Sequence, residues 1–341
     1  MLALRKLELG TPLLALEDIP PPQAGPAEVL IEVAYAGICG TDLHIQLDEL
    51  PSEPPVTLGH EIAGRIAALG EGVEGWQIGE PATSETYFYT CQRCMYCRDG
   101  APNLCPRRRS IGSRENGGFA RFLRVPARNL HRLPPQLSLQ AATFTEPLAC
   151  VVHALLEQTS LALGEYCIVS GPGPIGLLCA QVARASGCKV TVLGTAADVK
   201  RLAVAGALGF ATHSVDEPSL EETLLQQTAG RGADAVIECA GAEASAALAL
   251  KLVRPRGKYI QVGLFGRSIA WNADLACLKE LHITGSNATV PSAWPKAIAL
   301  LASGAVQTEP LVSEVVPLSE WERAFARLRQ KDALKILLQP E

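Results

Sequence analysis

Apolar residues follow two rhythms along this chain, and the change comes near residue 150. Before it, short β-like runs at 29–33 and 62–69 are separated by turn signals, Pro20-Pro21-Pro22 and Gly70-Glu71-Gly72. That texture predicts an irregular, mostly β domain. After it, strand-like and helix-like segments alternate, which predicts βαβ units on a parallel sheet. Residues 167–170 predict a strand entering Gly171, and Ile175, Leu178, Cys179, Val182 and Ala183 then recur at helical spacing. Further strands are predicted at 189–193, 235–239, 259–262 and 282–284, with helices over 199–207 and after Ser292. In the tail, Ser319 and Glu322 predict a capping box for a helix starting near Trp321, and 333–338 predicts a last strand returning to the first domain.

Composition refines this picture in three ways. A chain of 341 residues exceeds what one core usually supports, so two domains are expected. A net charge of −5 carries no basic excess of the kind that nucleic acid or an anionic membrane would favour. No apolar run is long enough to span a bilayer, and Arg5, Lys6, Glu8, Glu17 and Asp18 interrupt the Leu-rich start. With no uninterrupted signal-peptide core, a cytoplasmic location is expected.

The eleven cysteines carry the first chemistry. Their odd number, in a large chain without an export signal, argues for thiols and metal thiolates rather than disulfides. Cys91, Cys94, Cys97 and Cys105 crowd one stretch at a spacing that suits a closed tetrahedral zinc site. Four thiolates on Zn²⁺ leave negative charge, and Arg93, Arg98, Arg107, Arg108 and Arg109 lie beside them in sequence. Charge compensation on a solvated surface is the preferred reading of these arginines over a substrate-phosphate site.

A second donor set is dispersed. Cys39 stands in Gly37-Ile38-Cys39-Gly40-Thr41-Asp42-Leu43-His44, His60 and Glu61 in Gly59-His60-Glu61, and Glu146 in Thr145-Glu146-Pro147-Leu148. One thiolate, one imidazole and one or two carboxylates make an incomplete cage that leaves zinc a position for water or an alcohol.

Gly171-Pro172-Gly173-Pro174-Ile175-Gly176 follows a predicted strand and opens a predicted helix, the setting in which G-x-G-x-x-G binds a dinucleotide. The strand that follows ends in Leu193-Gly194-Thr195, without the carboxylate that holds a ribose 2′-hydroxyl. A 2′-phosphate would not be repelled there, and Thr195, Lys200 or Arg201 are candidates to bind it, which tilts the reading toward NADP with NAD still open.

Taken together, these motifs resemble the zinc-containing medium-chain dehydrogenases, in particular the sorbitol and threonine dehydrogenase branch. The resemblance spans nearly the whole chain and includes Gly117-Gly118-Phe119-Ala120 and Glu146-Pro147-Leu148. It implies an α/β protein: a Rossmann doubly wound parallel sheet over 149–287, and a mostly β, GroES-like catalytic domain from 1–148 and 288–341, with a structural-zinc lobe at 88–108. It implies two zinc ions per chain, a catalytic one at Cys39, His60, Glu61 and Glu146 and a structural one at Cys91, Cys94, Cys97 and Cys105.

By the same resemblance, Cys239-Ala240-Gly241 lies near the adenosine half of NAD or NADP, Val262-Gly263-Leu264 lies beside the nicotinamide, and 111–113 lines the substrate pocket. Where members commonly show Gly-Asp-Arg-Val, this chain has Gly79-Glu80-Pro81-Ala82, a departure that bears on a local ion pair and not on the chemistry.

The implied reaction is hydride transfer between a secondary alcohol, in particular a polyol or sugar alcohol, and NAD(P), with Thr41 passing the proton through the cofactor ribose to His44. The alternatives are threonine 3-dehydrogenase, another secondary-alcohol dehydrogenase, or a non-catalytic protein on the same fold. The expected partners are a small-molecule alcohol or ketone and further copies of the chain in a homodimer or homotetramer, with neither nucleic acid nor membrane.

Overall fold

A computed structural model describes residues 1–341. The chain divides into two compact units. One comprises Met1–Ala149, Thr289–Ser303 and Val312–Glu341; the other comprises Cys150–Ala288 and Gly304–Leu311. The segment Gly304–Leu311 thus falls with the second unit, not with the tail that the sequence assigned as a whole to the first. The Gln181 side chain holds it there, since the Gln307 amide donates to Gln181 Oε1 at 2.7 Å and Gln181 Nε2 donates to the Gln307 carbonyl at 3.1 Å.

The first unit is mostly β. Its largest sheet runs in the order Leu130–Arg132, Pro81–Ser84, Glu61–Leu69, Glu28–Gly37, Lys335–Gln339, Val312–Pro317, with Phe122–Pro126 also paired to Glu28–Gly37. The period-2 pattern at 29–33 reflects this setting, because Val29, Ile31 and Val33 face a core shared with Leu4, Ile66, Leu123, Phe325 and Ile336. Lys335–Gln339 pairs antiparallel with Glu28–Gly37, so the chain's last strand closes against one of its first. A three-stranded sheet and a two-stranded ribbon of Tyr87–Tyr89 with Arg109–Ser110 complete the unit.

The helix Trp321–Arg329 forms as predicted, but its start differs. Glu320 is the N-cap, no side chain caps it, and Ser319 lies inside a 3₁₀ turn, Leu318–Glu320. Burial of Leu318 draws that turn onto the core, and Glu320 pairs with Arg323 at 2.6 Å instead of a capping box forming. Glu80 has found a partner of its own, Arg132 Nε at 2.5 Å, in the segment that departs from Gly-Asp-Arg-Val.

The second unit is a six-stranded, all-parallel sheet. Its order is Ala211–Ser214, Lys189–Gly194, Tyr166–Ser170, Ala233–Glu238, Val253–Gln261, His282–Gly285. Strand order reverses beside Tyr166–Ser170, the topological switch point at which doubly wound sheets bind ligands. Ile168, Val236 and Tyr259 pack with Leu250 and Leu252 of the helix Glu243–Leu252. No helix of the chain is long and apolar enough to cross a membrane.

Candidate active site

The dispersed donor set converges in the first unit. Ligand atoms of Cys39, His60 and Glu61 all lie within 4.8 Å of one another. Cys39 precedes the helix Gly40–Gln46, and Glu61 opens the strand Glu61–Leu69. Buried Asp42 joins the two, because its carboxylate accepts from the Cys39 amide at 2.9 Å and from the Gly59 amide at 3.2 Å, and it stands 3.7 Å from His60 Nδ1. Gly59 has φ +90°, and a Cβ there would meet the Phe119 ring at 2.4 Å, which accounts for the glycine before His60.

Electrostatics favour a cation at this point. Burial alone would lower the His60 pKa, but Asp42, the Cys39 sulfur and Glu146 reverse this and hold it well above its ordinary value. Burial raises the Asp42 pKa, with Glu61 adding to the effect. A thiol, an imidazole and buried carboxylates in one spot make a donor set that zinc fits, the charge of the ion replacing that of a proton. Glu146 is buried in the first turn of Thr145–Val152 and acts on His60 through its charge, while lying outside the 4.8 Å group.

Lys335 has no counterpart in the sequence reading. Its Nζ donates to Glu61 at 2.6 and 2.8 Å and to the Ile38 carbonyl at 2.9 Å. Burial pulls its pKa down, but Glu61 and Cys39 carry it above the usual lysine value. Space for the pair comes from Gly37, where a Cβ would sit 2.2 Å from Glu61 Oε2.

Thr41 and His44 are three residues apart in the same helix and share a face. His44 is exposed, with Nδ1 2.5 Å from Glu49 Oε2.

The second thiol cluster is compact. The sulfurs of Cys91, Cys94, Cys97 and Cys105 lie within 4.8 Å of one another, with Cys91 and Cys105 at 3.6 Å. Zinc at about 2.3 Å from each sulfur would set the sulfurs about 3.8 Å apart, so the geometry suits the ion. Amides of Arg93 and Cys94 bond to the Cys91 sulfur and bring its pKa down to about 6, whereas burial and the other thiols push Cys97 up to about 12. Two of the neighbouring arginines have other work. Arg108 bonds the Asn103 carbonyl and lies over the Tyr87 ring, and Arg109 pairs with Glu53 and Glu115.

In the second unit, the glycine-rich loop lies between the strand Tyr166–Ser170 and the helix Pro174–Ala185. A Cβ on Gly176 would stand 1.9 Å from the Gly171 carbonyl oxygen, so only glycine lets helix and loop touch. A Cβ on Gly173 would meet nothing within 4 Å, leaving the open space that close approach of a pyrophosphate would need. Gly173 caps the helix Pro174–Ala185, Pro174 and Ile175 start it, and no side chain bonds its first amides, which suits an anion.

Cys239-Ala240-Gly241 and Val262-Gly263-Leu264 pack against each other and, through Ala240, against Gly171. Fully buried Glu238, missed in the sequence reading, braces both. Its carboxylate accepts from the amides of Ala240 and Gly241, Ser245 Oγ and Gln261 Nε2, and its carbonyl accepts from the amides of Val262 and Gly263.

Models of known families match both units: the alcohol dehydrogenase GroES-like domain over residues 25–135, and the zinc-binding dehydrogenase over 174–303. The chain is 40% identical to a sorbitol dehydrogenase of Halalkalibacterium halodurans, across 100% of this chain and 99% of that one. The chain belongs to the zinc-dependent medium-chain dehydrogenases. Within that family it is also 38% identical to a D-arabitol-phosphate dehydrogenase of Enterococcus avium, over 96% of this chain and 94% of that one. A zinc-binding dehydrogenase from Sinorhizobium meliloti bound to NADP superposes with a TM-score of 0.92, at 29% identity over 99% of both chains.

Proposed function

We propose that this dehydrogenase interconverts a polyol or sugar alcohol and the matching ketone, with NAD(P) as hydride carrier. The observation that carries the reading is the convergence of half-buried Cys39 and His60 with buried Glu61 within 4.8 Å, in the negative field of Asp42 and Glu146. The sorbitol and arabitol-phosphate relatives supply the substrate class.

In this reading Cys39 and His60 would hold the catalytic zinc, with Glu61 and Glu146 as the carboxylates that complete its ligand set and Lys335 offsetting the charge of Glu61. Cys91, Cys94, Cys97 and Cys105 hold the structural zinc. Bound there, the catalytic ion supplies a Lewis acid for the alcohol oxygen, and the dinucleotide supplies the hydride acceptor. Asp42 orients His60. Thr41 Oγ1 would accept the alcohol proton as it gives up its own, and exposed His44 would release a proton to solvent. Glu49 at Nδ1 leaves His44 Nε2 as the accepting nitrogen.

The first unit is the catalytic domain. The second binds the dinucleotide through Gly171, Gly173, Pro174, Ile175 and Gly176, with Cys239, Val262, Gly263 and Leu264 lining the site and Gly194, Thr195 and Arg201 at its ribose end. The edge strand His282–Gly285, with Ile283 exposed, is the surface we assign to a homodimer or homotetramer contact. Eleven free cysteines accord with the reducing cytoplasm.

A steady-state panel of polyols, polyol phosphates and threonine with NAD and NADP tests the reading, with zinc measured on the same sample. A polyol is expected to give the highest kcat/KM, with two zinc ions per chain. Zinc-loaded protein that turned over no polyol or polyol phosphate would overturn it.

A further inference from the structure

We infer that this protein selects NAD over NADP, and that Asp198 and Asp216 make the selection. The inference rests on the dinucleotide reading above and decides what that reading leaves open.

In a doubly wound sheet the adenosine ribose lies at the end of the strand that follows the glycine-rich loop and its helix, where an acidic side chain ordinarily meets the 2′-hydroxyl. Here that strand is Lys189–Gly194. Gly194 has no room for an acid, since a Cβ would stand 2.9 Å from Pro172 Cγ and 3.1 Å from Asp198 Cβ. The proline in the loop and the glycine at the strand end therefore belong together, and any negative charge at this strand end comes from elsewhere in the chain.

The tertiary structure supplies it. Two successive amides, those of Thr195 and Ala196, follow the strand end, and such amides are natural anion donors. Both are taken by the protein's own carboxylates. Asp198 Oδ2 accepts from the Thr195 amide at 3.0 Å and from Thr195 Oγ1 at 2.7 Å. Asp216, reaching in from beyond the strand Ala211–Ser214, accepts from the Ala196 amide at 2.8 Å and from Ser214 Oγ at 3.2 Å.

A ribose hydroxyl can donate to a carboxylate that keeps lone pairs to spare. A 2′-phosphate, with a charge of about −1.5 to −2, has to displace these carboxylates from their amides and faces like charge if it does not. The neighbouring charges do not reverse this. Arg201 is largely buried with Nη1 3.8 Å from Asp198 Oδ1, so its charge is turned toward that carboxylate. Lys200 is exposed but has an interaction of its own within the chain, and Glu217 is engaged by His213 and by the Ser214 amide.

Equilibrium titration of the zinc-loaded protein with NADH and with NADPH tests this, read by nucleotide fluorescence without turnover. NADH is expected to bind at least about tenfold more tightly than NADPH, a modest expression of like-charge repulsion near the surface. Asp216→Ala changes an exposed residue, and Asp198→Asn keeps the shape of a buried one. Each is expected to tighten NADPH binding several-fold and narrow the preference.

Equal or tighter NADPH binding by the unaltered protein would overturn the inference while leaving the dehydrogenase reading intact. A preference for NADH that neither variant moves would overturn the assignment to these aspartates. Failure to bind either nucleotide would sink the dinucleotide reading and the inference with it.

Discussion

Lys335 and Glu61 form a buried ion pair between residues 274 positions apart, with Nζ 2.6 and 2.8 Å from the two carboxylate oxygens. The pair lies one residue from His60, so the chain's closing strand bears directly on the proposed metal site. Removing one partner of a buried pair leaves the other charge stranded, which typically costs about 3–5 kcal/mol. Lys335→Met is expected to lose stability on that scale in urea unfolding of the zinc-loaded protein, and Lys335→Arg to keep most of it. The double variant Lys335→Met with Glu61→Gln is expected to recover part of the loss. An unfolding midpoint unchanged in Lys335→Met would show that the pair adds nothing.

The two thiol-bearing sites are expected to fail differently. Cys39→Ser or His60→Ala should abolish turnover, with circular dichroism and unfolding midpoint close to the parent. Cys97→Ser should lower the midpoint more than it lowers kcat at a permissive temperature, since closed zinc sites contribute folding energy. Undiminished turnover in both Cys39→Ser and His60→Ala would remove the catalytic assignment. A stable but inactive Cys97→Ser would reverse that of the lobe.

Gly173 and Gly176 separate binding from folding. Gly173→Ala puts a methyl group where the protein has nothing within 4 Å. It is expected to weaken dinucleotide binding more than tenfold, by blocking close approach of the pyrophosphate, with an unfolding midpoint near the parent. Gly176→Ala drives a methyl to 1.9 Å from the Gly171 oxygen, and both binding and stability are expected to fall. Full nucleotide affinity in Gly173→Ala would place the pyrophosphate elsewhere.

Asp234 makes stability depend on acid. Burial would raise its pKa, but the Tyr166 amide at 2.8 Å and Arg254 Nε at 2.6 Å reverse this and hold it below the usual aspartate value. A carboxylate with a depressed folded-state pKa contributes stability that is present above its unfolded pKa of about 3.9 and is lost as pH falls through the folded pKa. Asp234→Asn is therefore expected to be less stable than the parent at pH 7, with the difference shrinking below about pH 4. A stability gap of constant size from pH 7 to pH 3 would count against the linkage.

Much of the fold was legible because its signals are local. The alternation at 29–33 and the helical spacing from Ile175 to Ala183 each report a face that meets a core. Other strands left little trace. Ala211–Ser214 lies at a sheet edge and buries none of its residues fully, so it shows no apolar alternation. Val312–Pro317 includes exposed Ser313 and a register shift, which blur its period. Ser319 and Glu322 have capping-box spacing, but burial of Leu318 and the Glu320–Arg323 pair outweighed it.

The candidate sites divide in the same way. Four cysteines within one loop, and glycines at fixed spacing between strand and helix, are patterns that their own stretch of chain can satisfy. The sequence by itself therefore determined the kinds of donor atom, the glycine-rich loop between strand and helix, and the alternation of strands and helices. Only the tertiary structure decided that Lys335 neutralises Glu61, that Asp42 ties Cys39 to the residue before His60, and that Asp198 and Asp216 stand where Gly194 leaves no acid. A buried charge is chosen for the partner that folding brings to it, and no local period marks a partner such as Lys335, distant in the chain.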